Sequence, residues 1–140
     1  MAPGKGAAKA KAALLAAWLC AAAAVVPAGA LCPKKCACGE GGFDVSCSFG
    51  NLSAIPLFLN PEVTRLNLSN NDLRAIEGGL NFYANLEALD LSGNMFSHVG
   101  RRQFASQGRL QTLNISNNFL TALREHSFQA QTISHAQIWF

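Results

Sequence analysis

VTRLNLSNNDL (residues 63–73), LEALDLSGNMF (residues 86–96) and LQTLNISNNFL (residues 110–120) superimpose on one template, L-x-x-L-x-L-x-x-N-x-L. Their starts lie 23 and 24 residues apart, a fixed period that predicts a stacked array rather than a closed globule. One unit of this length cannot bury its own apolar side. It stacks on neighbours, and the stack presents a long, shallow surface suited to a partner.

Inside each unit the apolar positions alternate, as Leu66/Leu68, Leu89/Leu91 and Leu113/Ile115. A period of two is that of a strand with one buried face. Parallel stacking then turns Arg65, Asn67, Ala88, Asp90, Thr112 and Asn114 to the solvent side, and these six form the candidate binding face. They are mostly small and polar and offer no aromatic anchor. Asn71, Asn94 and Asn118 recur at one template position. Their recurrence predicts buried amides that satisfy the backbone of a turn, a structural role rather than catalysis or ligand binding. Ile76, Val99 and Leu123 follow the asparagines by five residues, with Leu80, Phe104 and Phe128 beyond them. Both sets are predicted to pack as core behind the strands.

The first thirty residues have a different character. Lys5, Lys9 and Lys11 precede an uncharged run over residues 12–26, followed by Pro27 and an A-x-A site at Ala28-Gly29-Ala30. This layout predicts a secretory signal peptide over residues 1–30, cleaved after Ala30. The run is short of the roughly 20 apolar residues that a spanning helix needs. The chain has 11 basic and 8 acidic residues, a net +3. Removing three signal lysines leaves 8 of each sign over residues 31–140, so the mature chain is neutral and offers no basic surplus to nucleic acid.

Four cysteines then remain, Cys32, Cys36, Cys38 and Cys47. An even, tightly spaced set in a secreted chain predicts disulfides. A zinc site is the competing reading, but the gaps of three, one and eight residues lack the usual C-x-x-C pairs. Four cysteines allow three pairings, and spacing disfavours only a Cys36–Cys38 bridge. Gly39-Glu40-Gly41-Gly42 is a turn between two short segments. Residues 31–62 therefore read as a stapled hairpin that caps the exposed first strand of the array.

The pattern Cys32-x3-Cys36-x-Cys38-x8-Cys47, then Leu52-x-x-Ile55-Pro56, then three phased repeats, resembles the N-terminal cap and body of extracellular leucine-rich-repeat proteins. That resemblance implies an α/β-type solenoid. A disulfide-stapled cap hairpin would lead into three parallel-strand repeats over residues 63–132, with an open C-terminal end and a concave strand face. It also implies the pairing Cys32–Cys38 and Cys36–Cys47. The stretch LNFYANLEALDLS from Leu80, with Asn60-Pro61 before it and Phe104-x-x-Gln107 after, is similar to the arthropod transmembrane adhesion proteins capricious and tartan.

Three glycosylation sequons begin at Asn51, Asn67 and Asn114. Sugar on both Asn67 and Asn114 would cover part of the concave face and move protein binding to an edge or the convex side. Arg101, Arg102 and Arg109 form a small basic patch that reads as a solvated face, and His98, His126 and His135 are dispersed. No catalytic spacing, cofactor motif or phosphate-cradling loop is identifiable, so no catalytic, cofactor or metal residue is assigned. Residues 133–140 read as an incomplete fourth repeat, with Ile133, Ala136 and Ile138 in its apolar slots, or as an aberrant tail. Leu113, Leu120 and Phe128 are then expected at an exposed end, as in a fragment whose longer form carries more repeats, a second cap and a membrane anchor. The sequence points to a non-catalytic module that binds an extracellular or cell-surface protein, as the N-terminal part of an adhesion or receptor protein. The alternatives are a small secreted matrix or decoy protein and a truncated product without function of its own.

Overall fold

The computed structural model describes residues 32–76, 78–123 and 137–139. The signal segment, His126, Phe128, Ile133, His135 and Ala136 lie outside these residues. Two short segments make the cap: β1 (Ala37–Cys38) pairs antiparallel with β2 (Asp44–Ser46). The turn between them runs through Gly41 and Gly42, both with φ of +70°, a conformation open to glycine without penalty. Cys32 bridges Cys38, and Cys36 bridges Cys47. All four thiols are thereby consumed, which removes the ligand set on which a zinc site depended.

β2 then begins a parallel sheet that continues through β3 (Arg65–Asn67), β4 (Ala88–Asp90), β6 (Thr112–Asn114) and β8 (Gln137–Trp139). On the return side, β5 (His98–Val99) pairs with β7 (Ala122–Leu123). The other returning leg holds a short 3-10 turn over Gly79–Phe82. Among the described residues no return leg is α-helical. Legs this short suit tight turns better than a helix, which needs several residues to offset its nucleation.

One register runs through the sheet, with Val45, Leu66, Leu89, Leu113 and Ile138 at successive partner positions. Val45, Leu66, Leu89 and Leu113 are buried in one core with Leu68, Leu91 and Ile115. Ile76, Leu80, Val99 and Phe104 close that core from behind. Tyr83 joins them, its hydroxyl donating to the Pro56 carbonyl and accepting from the Leu59 amide at 3.4 Å. Gln107 is fully buried and donates to the Leu80 carbonyl at 2.7 Å, while its Oε1 has no hydrogen-bond partner among the described residues.

The expectation of an exposed flank on the third repeat is corrected here. Leu113 is 0% exposed and Leu120 is half-buried, because the sheet runs one strand further and β8 lies against β6. The fourth strand also starts later than the template suggests. Ile138 pairs in the slot of Leu113, not in that of Ile115, a shift of two residues. A slip of two keeps the same face inward, so the sequence pattern alone does not resolve it.

The asparagines form a ladder between repeats. Asn94 Nδ2 donates to the carbonyls of Leu91 and Ser92 in its own repeat and of Leu68 in the preceding one. Its Oδ1 accepts from the Leu73 amide at 3.1 Å. Asn71 repeats the pattern on Cys47, Leu68, Ser69 and Leu52, and Asn118 on Leu91, Ile115, Ser116 and Phe96. The residue before each ladder asparagine is left-handed: Asn70 (φ 54°), Gly93 (φ 63°) and Asn117 (φ 53°). At Gly93 a Cβ would stand 2.5 Å from Asn70 Oδ1, so any larger residue there would have to displace the Asn70 side chain.

Candidate binding face

β3, β4 and β6 each send two side chains out of the sheet, and the register sorts them into two rows. Asp44, Arg65, Ala88, Thr112 and Gln137 hold successive positions in the first row. Ser46, Asn67, Asp90 and Asn114 hold the second, and the Trp139 position continues it. All six residues of the predicted face fall in these rows. They line one groove of about 370 Å³ together with Asp44.

Strands about 4.8 Å apart set each row's spacing, so side-chain length decides the relief. Ala88 contributes a single methyl between Arg65 and Thr112. Arg65 does not fill the gap, because its Nε and Nη2 both bond Asp44 Oδ2, at 3.0 and 2.7 Å, on the far side from Ala88. This ion pair is exposed, so it contributes little stability. It does set the direction in which the guanidinium points.

The second row is tied down at its base. Asn67, Asp90 and Asn114 each accept, through Oδ1, the amide of the residue two places on: Ser69 at 2.9 Å, Ser92 at 2.8 Å and Ser116 at 3.1 Å. Such local turns hold the side chains in one pose as the strand ends. Asn114 Oδ1 also accepts from the Ser116 hydroxyl at 2.8 Å. Asn51, by contrast, is exposed on the cap loop at φ 49°.

Asp44 and Ser46 were missing from the sequence-based face. Their signal was present in the alternation Asp44-Val45-Ser46-Cys47, which matches the outward and inward positions of the repeats. The hairpin reading of the cap hid it. Exposed aromatic side chains occur elsewhere, at Phe43, Phe49, Phe58, Phe82 and Phe119, and none of them lines the groove. Arg101, Arg102 and Arg109 are exposed and lie outside both rows. His98 is exposed, and its ring bonds its neighbour, the Ser97 hydroxyl, at 3.1 Å.

A stapled cap, in-register parallel strands and an asparagine ladder define a leucine-rich-repeat module. The family profile described as leucine rich repeat matches residues 61–120 and 84–131. Together these cover 71 of the 140 residues. The chain belongs to this family. Human leucine-rich repeat-containing protein 3B is 34% identical over 101 residues, covering 70% of this chain and 39% of that protein. Rat reticulon-4 receptor-like 2 is 35% identical over 107 residues, covering 76% of this chain and 25% of that protein. The crystal structure of human trophoblast glycoprotein (Wnt-activated inhibitory factor 1) matches with a TM-score of 0.66 at 30% identity, covering 77% of this chain and 40% of that one. The chain thus spans about two fifths of the first relative's length and a quarter of the second's. It is a capped leucine-rich-repeat protein similar to receptor-like members of the family. Its disulfides belong to an oxidising compartment.

Proposed function

We propose that this chain is the N-terminal recognition module of a cell-surface adhesion or receptor protein, and that it binds an extracellular protein through the concave strand face. The observation that carries this reading is the two outward rows. Their side chains are held in fixed poses, and they line one continuous groove across three repeats and the cap. The receptor-like relatives support a cell-surface role. Sugar belongs to the same reading: Asn51 carries a glycan on the exposed loop, while Asn67 and Asn114, whose Oδ1 atoms anchor the second row, stay bare. Glycopeptide mapping of the secreted protein tests this. Glycans on both Asn67 and Asn114 would move the binding surface to an edge.

The direct test is a screen of the displayed protein against a library of ectodomains, followed by Ala88→Trp. A bulky indole on the groove floor is expected to weaken the partner by about a hundredfold, as hot-spot disruptions do. A partner indifferent to Ala88→Trp contradicts the concave-face reading.

A further inference from the structure

We propose that the groove is built to seat one basic side chain of the protein partner, with its aliphatic stem on Ala88 and its charged head on Asp90. The inference rests on the concave-face reading and names the chemistry of the contact. Arg65 and Asp44 neutralise each other at the cap end of the groove. Asp90, two strands from Asp44 and half-buried, has no such partner among the described residues. Its Oδ1 is committed to the Ser92 amide, while Oδ2 has no hydrogen bond or ion pair among the described residues. Asn67 and Asn114 flank it in the same row, and neither carries a charge to answer it.

The notch beside this carboxylate is apolar at Ala88 and opens because Arg65 is drawn the other way. A groove of about 370 Å³ is at the small end of ligand sites, the scale of a side chain rather than a cofactor. Among the described residues no group of three acidic, histidine or cysteine side chains could hold a metal ion. A divalent metal wants several oxygen ligands, so one carboxylate beside a methyl group suits an organic cation better. A guanidinium or ammonium on a long methylene stem has this shape, apolar along its length and charged at its tip. The charge-assisted bond to Oδ2 supplies direction.

The test uses the chain secreted through a bacterial periplasm, where disulfides form and sequons stay bare. It is titrated with N-acetyl-arginine methylamide and, separately, with the uncharged isostere N-acetyl-citrulline methylamide, following backbone amide resonances. Saturable shifts confined to residues 88–92 and 112–116 are expected with arginine, with citrulline weaker by about tenfold or more. Asp90→Asn should erase that preference. It should leave the spectrum otherwise intact, because asparagine already makes the same turn at Asn67 and Asn114. Equal binding of the two probes, or shifts centred elsewhere, overturns the proposal. A protein partner blocked by Ala88→Trp but indifferent to Asp90→Asn also overturns it and leaves the concave-face reading standing.

Discussion

The cap and the repeats solve the same problem by different means. Within the repeats, each turn is tied to its neighbour by an asparagine amide that reaches back one repeat. At the cap there is no earlier repeat to reach, and the ladder position is taken by Gly50, where a Cβ would meet the Cys47 carbonyl at 3.2 Å and Asn71 Oδ1 at 3.4 Å. Covalent bridges stand in for the missing rung. Just before the ladder position the cap also accepts a backbone conformation that the repeats give there to glycine and asparagine. Phe49 sits at φ 56° and is 75% exposed, in the row of Asn70, Gly93 and Asn117. At the ladder turns the periodic part is thus stabilised by hydrogen bonds and is locally unstrained, whereas the end is stabilised by cross-links and carries strain at Phe49.

The largest expected effect breaks the cap side of this comparison. Replacing Cys36 and Cys47 together with alanine should cost about 3 kcal/mol or more in urea unfolding. A loss below about 1 kcal/mol would mean that the bridge is dispensable. Next comes the ladder. Asn94→Ala strands the carbonyls of Leu68, Leu91 and Ser92 and the amide of Leu73, and should cost about 2–3 kcal/mol. Asn118 makes the same bonds but is half-buried, so water takes over part of its role and the loss should be smaller.

The junction between the two regions has its own probe. Tyr83 joins the first repeat to the Pro56–Leu59 lead-in, and Tyr83→Phe should cost about 1 kcal/mol. Burial holds its phenol above the ordinary value of 10.0, with the Leu59 amide partly opposing. A folded pKa above the unfolded one means that this stabilisation is complete below pH 10.0 and lost as pH rises through the folded value. Tyr83 is the chain's only tyrosine, so its absorbance titration reports the shift without overlap. Urea midpoints should fall across that range in the parent chain and fall less in Tyr83→Phe.

The smallest effect has the opposite sign. Phe49→Asn relieves a left-handed aromatic residue and should stabilise the cap by about 1 kcal/mol. A destabilised variant would show that the exposed ring makes a contact worth more than the strain.

The repeats were legible in the sequence because each buried position recurs. Leu66, Leu89 and Leu113 declare one another, and the ladder asparagines do the same. The cap was legible in its cysteines but not in its strand face. Asp44 and Ser46 form a single non-repeated turn of the pattern, and the turn residues beside them dominate the local signal. At the far end, the two-residue slip of Ile138 was invisible because both registers bury the same face. The notch at Ala88 needed coordinates as well. Sequence places a small residue between Arg65 and Thr112, but only the Asp44 contact tells which way Arg65 turns.

The central claim is a division of labour within each strand, with inward residues and ladder asparagines holding the stack and outward rows free to recognise. Urea unfolding of Asn94→Ala and Ala88→Trp, measured side by side, tests it most directly. The account predicts a loss of about 2–3 kcal/mol for the first and a change within about 0.5 kcal/mol for the second. Comparable losses from both would contradict it, because the outward row would then be holding the fold together.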